Sequence, residues 1–189
     1  PDAPDVNMQE LNRQIILKLT YGPGSNNEGF SYSERDPLIT VSADDRDSIL
    51  NVNPNYFDYK FEGFQIYQLS NKDVSIADIY DPTQSRMVAQ CDIKNGLTQL
   101  INWEVDPDLN ALVPQDMTLT SNNEGVFSSF LISEDQFAIG NRDLINHKEY
   151  HFTVIAYGQN QFEEFDPTIA SGGQKIPFLA GRRNIKTYK

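Results

Sequence analysis

The sequence predicts an all-β domain: a two-sheet antiparallel β-sandwich with long loop insertions and one or two short helices. Three observations predict it. Short apolar runs alternate at period two, clusters of turn-forming residues separate them, and no stretch sustains the period of an amphipathic helix. The aromatic content agrees, since eleven Phe and nine Tyr suit pleated, half-buried strand surfaces better than helices. With 39% hydrophobic residues among 189, one generous core is within reach, and residues 1–189 are expected to form a single domain.

The opening Pro1-Asp2-Ala3-Pro4-Asp5 reads as a linker entering an edge strand, because proline has no N–H for a ladder. In residues 13–20, Ile15, Leu17 and Leu19 occupy every second position, as in a strand with one buried face. Residues 21–58, dense in Gly, Pro, Asn, Asp and Ser, read as a long polar excursion with a short strand at 38–41. Strand character returns at 61–69, with Phe64 and Ile66 on one face and Gln65 and Tyr67 on the other.

Residues 70–125 form a second excursion. Within it, 74–80 reads as a short helix ended by Asp81-Pro82, and 86–92 as a strand closed by the turn signal Asn95-Gly96. A strand is expected at 97–105 and a loop at 106–116. A β-rich run at 126–132 leads to Ser133, placed to cap a single helical turn. Residues 150–157 are the clearest strand: Tyr150, Phe152, Val154 and Ala156 line one face and His151, Thr153, Ile155 and Tyr157 the other. A last strand is expected at 184–188. Ser25-Asn26-Asn27-Glu28-Gly29 recurs as Ser121-Asn122-Asn123-Glu124-Gly125 without repeating its flanks, which reads as two similar polar turns.

A net charge of −12 opposes binding to a nucleic-acid backbone or docking on anionic lipid. No apolar run approaches the roughly 18 residues that a membrane helix needs, so no membrane insertion is expected. All charged residues after Asp166 are basic (Lys175, Arg182, Arg183, Lys186 and Lys189), as on a solvated edge strand. Cys91 is the single cysteine and sits in a strand-like run, so it reads as a small buried hydrophobe. The chain opens at Pro1 without an initiating Met and is taken as an excised domain or a mature product.

Three stretches carry a family resemblance. Pro1-x-Ala3-Pro4 followed by Ile15-x-Leu17-x-Leu19 resembles the first two strands of a fibronectin type III domain. Glu62-Gly63-Phe64-Gln65-Ile66-Tyr67 is similar to its third strand, and Leu144 followed by Tyr150-x-Phe152-x-Val154-x-Ala156 to its sixth. The resemblance implies an immunoglobulin-like sandwich in which Leu144 packs under a turn and Tyr150 forms the corner that clamps it. Asn146-His147 stands where many members have Pro-Gly. The family's usual length is about a hundred residues, so the surplus falls in the insertions at 21–58 and 70–125. Residues 61–67 and 144–152 also resemble enlarged fibronectin-like domains of Bacteroidota surface and secreted proteins, many of them exported by type IX secretion. That implies an extracellular or cell-surface location.

Candidate sites are few. His147 and His151 lie on a turn and a strand, too far apart along an extended chain to share a metal. Asp106, Asp108 and Asn110 begin like a calcium loop, but Ala111 and Met117 replace the required Gly and Glu. No cofactor is therefore expected; the alternative is a calcium ion gathered from several loops, with Asp44, Asp45 and Asp47 as further donors. No nucleophile elbow, phosphate loop or zinc helix occurs, so catalysis is not expected. Tyr56, Phe57, Tyr59, Tyr80 and Trp103 are the candidate binding surface, with the insertions thickening one end of the sandwich and leaving the sheet faces ordinary. The function expected is a non-catalytic extracellular spacer, adhesion or interaction module, with neighbouring domains of the same chain and an unknown protein or glycan ligand as partners. The alternatives are a carbohydrate-binding or accessory module beside a hydrolase, and a protein-recognition domain in a surface or secretion assembly.

Overall fold

The computed structural model describes residues 1–40, 42–54, 56–120, 123–160, 163–169 and 173–189. The alternation around Ile15, Leu17 and Leu19 becomes β2 (Gln14–Thr20), which pairs antiparallel with β1 (Asp5–Leu11) on one side and β8 (Ser129–Ile132) on the other. The second sheet is built on β4 (Asp58–Leu69). Along one edge of β4 runs β9 (His151–Gln159), with β10 (Phe178–Ala180) beyond it. The other edge is shared end to end: β3 (Ser33–Arg35) faces residues 58–60 and β5 (Ser85–Asp92) faces residues 63–69. All of these pairs are antiparallel.

The two sheets share one core. Ile15, Leu17 and Leu19 of β2 and Ile132 of β8 pack with Phe64 and Ile66 of β4, Cys91 of β5 and Phe152, Val154 and Ala156 of β9. Each Ile, Leu, Val and Phe among them contributes about 1.5–3 kcal/mol by leaving water. The architecture is all-β and sandwich-like.

The outer face of the five-stranded sheet is buried as well, in part beneath segments expected to thicken one end of the sandwich. Tyr67, Leu69 and Ile155 pack against Ile79, Val74 and Ile185, while Tyr157 packs with Leu100 and Phe178. Residues 70–80, the segment around 100–117 and the C-terminal stretch thus form a covering layer rather than a thickened end. The cause lies in β4 and β9, whose second faces are too apolar to leave exposed. Polar pegs fix the cover. Gln65 and Gln90 sit opposite each other on β4 and β5. Gln65 Nε2 donates to the Met117 carbonyl at 2.6 Å, and Gln90 exchanges two 3.0 Å bonds with the Leu119 backbone.

Several elements differ from expectation. The loop expected at 106–116 is the turn and second strand of a ribbon, β6 (Ile101–Asp106) paired with β7 (Ala111–Asp116). Asp106 Oδ1 accepts the N–H groups of Asp108 and Leu109, and Asn110 takes a left-handed φ of 47°, so this polar stretch closes a hairpin. The polar excursion contains α1 (Ala43–Val52), where Ser42 Oγ accepts the Asp45 N–H at 3.2 Å as N-cap. Residues 38–40 form no strand, and Val41 lies outside the described residues. The expected helix at 74–80 shortens to a 3₁₀ turn, Ile76–Asp78. Residues 133–136 make no helical turn, because Asp135 is drawn inward by Gln68 and Lys148. At 184–188 there is a single bridge, Phe152 to Tyr188, and β10 lies earlier. The C-terminal cations reach back to acidic side chains: Arg183 to Asp2 at 3.2 Å, Lys186 to Asp5 at 2.7 Å and Lys189 to Glu149 at 2.5 Å.

At the turn before β9, Leu144 is buried and Tyr150 is 7% exposed. The Tyr150 hydroxyl accepts the Ile145 N–H at 2.9 Å, five residues upstream. Tyr150→Phe keeps the ring and strands that N–H, so a urea melt is expected to show a loss of about 0.5–1.5 kcal/mol. An unchanged midpoint would mean that water replaces the hydroxyl at no cost.

Candidate functional site

The β6–β7 ribbon has two unlike faces because side chains alternate along a strand. Asn102 points into the domain and is 4% exposed. Its Nδ2 donates to the Phe178 carbonyl at 3.2 Å, and its Oδ1 accepts the Phe178 N–H at 3.0 Å. The Trp103 N–H donates to the Lys175 carbonyl at 2.7 Å, so the C-terminal segment extends the ribbon's edge. With Asn102 inward, Trp103 and Val105 lie on the opposite face. The register sets Trp103 against Pro114 and Val105 against Leu112. Trp103 is half-buried, edge-on to Phe165 at 5.4 Å, while Val105 is 65% and Leu109, at the tip, 68% exposed. The result is an outward apolar strip on a fixed two-stranded ribbon.

Glu104 and Asp106 alternate with this strip along β6, Asp108 lies in the turn and Asp116 ends β7, and the sequence has no Lys, Arg or His between Lys94 and Arg142. None of the four carboxylates forms an ion pair among the described residues. An apolar strip with a negative rim has the composition of a recognition surface, apolar at its centre and polar at its margin.

The five aromatics expected to form one surface are dispersed, which corrects that expectation. Phe57 and Tyr59 are 1% and 4% exposed, because Phe57 directly precedes β4, Tyr59 lies on it, and both follow its inward alternation. The Tyr59 hydroxyl donates to the Ile176 carbonyl at 2.6 Å, and the Arg35 guanidinium lies 4.2 Å above the Phe57 ring. Tyr56 is half-buried, edge-on to Phe57 at 5.1 Å. Tyr80 is half exposed beside Tyr67, and burial pushes its hydroxyl pKa up to about 12. Only Trp103 belongs to the ribbon.

Asp106, Asp108 and Asn110 are the hairpin turn, and Asp106 spends one oxygen on its own backbone. Asp45 and Asp47 lie on α1; the Asp44 side chain, like Ser121 and Asn122 of the repeated turn, lies outside the described residues. Among the described residues no group of three or more His, Cys, Asp or Glu side chains converges to hold a metal. His147 is an exposed turn residue with a left-handed φ of 66°, and His151 starts β9. A broad cleft of about 610 Å³ opens between the β1–β2 turn and residues 144–150. Its cations Arg13, Lys148 and Lys189 are engaged by Asp143, Asp135 and Glu149.

Sequence reasoning did not single out Glu62. It is 2% exposed, and both its oxygens accept from Asn95 Nδ2, at 2.9 and 2.7 Å. Burial raises its pKa to about 7, with the Asn95 bond opposing the rise and Asp92 adding to it. A glutamate inside a strand-like run carries no signal of this, since period two does not foretell the irregularity beside Gly63.

No known protein family, curated protein or solved structure matches the chain.

Proposed function

We propose that the protein is a non-catalytic interaction module of an extracellular or surface protein, and that it recognises a protein partner through the outward face of the β6–β7 ribbon. The observation that carries this reading is the pairing of an anchored inner face, at Asn102, with an outward apolar strip of half-buried Trp103 and exposed Val105 and Leu109. A rigid ribbon loses little entropy on binding, so its apolar area is available for affinity. The acidic rim favours a partner bearing Lys and Arg beside its apolar groups. The fibronectin type III reading is supported by the strand orders β1-β2-β8 and β10-β9-β4-β5 and by the Tyr150 clamp on Ile145. The glycan reading has less support, because Trp103 meets Phe165 at 63° instead of sharing a plane.

The test is site-specific photocrosslinking in the source organism. A crosslinker at position 105 is expected to give one dominant protein adduct, and one at Asn7, exposed on β1, is expected to give none. Val105→Asp should then weaken the recovered complex by about 2 kcal/mol, roughly 30-fold, without moving the melting temperature. Equal labelling from both positions, or full affinity in Val105→Asp, would count against the ribbon.

A further inference from the structure

Asn95-Gly96 is the single Asn-Gly pair of the chain. In such a pair the glycine nitrogen can reach the preceding side-chain amide with no β-carbon in the way, and a Cβ placed on Gly96 would meet nothing within 4 Å. Each party to that attack already has a partner. The nucleophile, Gly96 N–H, donates to Asn123 Oδ1 at 2.9 Å. The electrophilic carbonyl, Asn95 Oδ1, accepts the Leu97 N–H at 2.9 Å, a contact that strengthens as charge builds on the oxygen. The leaving group, Asn95 Nδ2, lies 2.9 and 2.7 Å from the two oxygens of buried Glu62. Nucleophile, oxyanion donor and acid therefore converge on one amide.

We propose that Asn95 is a self-modifying site, at which the chain converts this asparagine to aspartate and isoaspartate with Glu62 as general acid. The Gly96 N–Cγ bond forms and the Gly96 amide proton, oriented by Asn123 Oδ1, passes to water. Glu62 protonates Nδ2, the Cγ–Nδ2 bond breaks, and ammonia leaves a succinimide. Water then opens the imide at either carbonyl, and Glu62 recovers a proton from solvent, so the net change is amide plus water to acid plus ammonia. The titratable groups facing Glu62 are Asp92 from β5 and Tyr157 from β9, and neither brings a positive charge to hold it ionised. The Glu62 pKa of about 7 keeps a proton available near neutrality.

The product places a carboxylate where Glu62 now receives two hydrogen bonds. Repulsion from Glu62 and from Asp92, which is 5% exposed, then detaches the turn at 95–97 from Asn123. The modification thereby acts as a timer that loosens the chain just before the ribbon.

Native protein incubated below neutral pH is analysed by peptide mapping for the mass gain and isoaspartate at position 95. A synthetic peptide of residues 92–98 is the reference. Asn95 in the folded chain is expected to convert about 100-fold faster than in the peptide, the modest end of what a positioned acid contributes. The acceleration should fade as pH rises through about 7, where Glu62 ionises, whereas the peptide speeds up with pH. Glu62→Gln should remove both the acceleration and the inverted pH profile. Asn123→Ala, which leaves Glu62 in place, should slow conversion but keep the profile, and serves if Glu62→Gln fails to fold. A folded-state rate at or below the peptide's overturns the proposal. So does an unchanged rate and profile in Glu62→Gln, or an Asn123→Ala profile that rises with pH like the peptide's.

Discussion

Gly63→Ala is expected to abolish folding at ordinary temperatures. A β-carbon at Gly63 would lie 2.0 Å from the Cys91 carbonyl oxygen, 2.9 Å from Asp92 Cα and 2.8 Å from the Tyr157 hydroxyl. Two of these are backbone atoms of β5, so no rotamer change relieves the clash. The glycine stands at the register shift between Phe61 and Gly63, where β4 is hydrogen-bonded to β9 on one side and β5 on the other. To admit a methyl group, β4 and β5 must part across the middle of the sheet. The loss should exceed about 4 kcal/mol, a large share of the roughly 5–15 kcal/mol that holds a domain together. Circular dichroism and a urea melt of whatever soluble protein is recovered provide the check. A folded variant with the parental midpoint would show that β5 can move aside.

Asp135→Ala is expected to cost about 3 kcal/mol, or roughly 6–12 °C in melting temperature for a domain of this size. The Asp135 side chain is 3% exposed. Its carboxylate receives Lys148 Nζ at 2.6 Å, Gln68 Nε2 at 2.7 Å and the Phe137 N–H at 2.9 Å. Gln68 in turn accepts the Gln136 N–H at 2.7 Å, so one acid ties β4 to the turn after β8 and to the approach to β9. Removing it leaves the Gln68 amide and the Phe137 N–H without their acceptor. Lys148 is half exposed and rehydrates, so its part is discounted.

Burial alone would raise the Asp135 pKa, but Lys148, Gln68 and the Phe137 amide outweigh it and hold the carboxyl below its ordinary value of 3.8. The folded value is thus lower than the unfolded one. The contribution is present above pH 3.8 and is lost as pH falls through the folded value. The acid limb of the stability curve should therefore flatten in Asp135→Ala. A variant that melts with the parent and shows the same acid limb would remove Asp135 from this role.

Much of the sandwich was legible because burial on one face of a strand leaves a period-two trace. Ile15, Leu17 and Leu19, Phe64 and Ile66, and Phe152, Val154 and Ala156 announce their strands and the face each presents to the shared core. Tyr150 was legible through the family resemblance, as the tyrosine that follows Leu144 and leads into the clearest strand. Elements specified by turn chemistry or capping were harder to see. The Asp106 turn and the Ser42 cap close a hairpin and start a helix within stretches whose composition resembles any polar loop. Of the aromatic residues, the candidate site was legible only at Trp103, and Asp106 and Asp108 were legible as an acidic turn without their place on the ribbon. Phe57 and Tyr59 look like Trp103 in composition, and their burial depends on where β4 begins.

The sequence by itself determined the class of fold, the core-facing residues of β2, β4 and β9, and the strongly acidic surface, because each is written in local pattern or in total composition. Tertiary structure decided what covers the second face of β4 and β9. Alternation shows that Tyr67, Ile155 and Tyr157 share the face opposite the core, but it is silent on whether water or protein lies beyond them. That depended on pairings across long separations: Gln65 with Met117, Asn102 with Phe178, and Tyr67 with Ile79. The same is true of Glu62 and Asn95, 33 positions apart, whose meeting requires β4 to shift register beside Gly63. Such contacts are selected by the free energy of the assembled layers, and no window of neighbouring residues contains it.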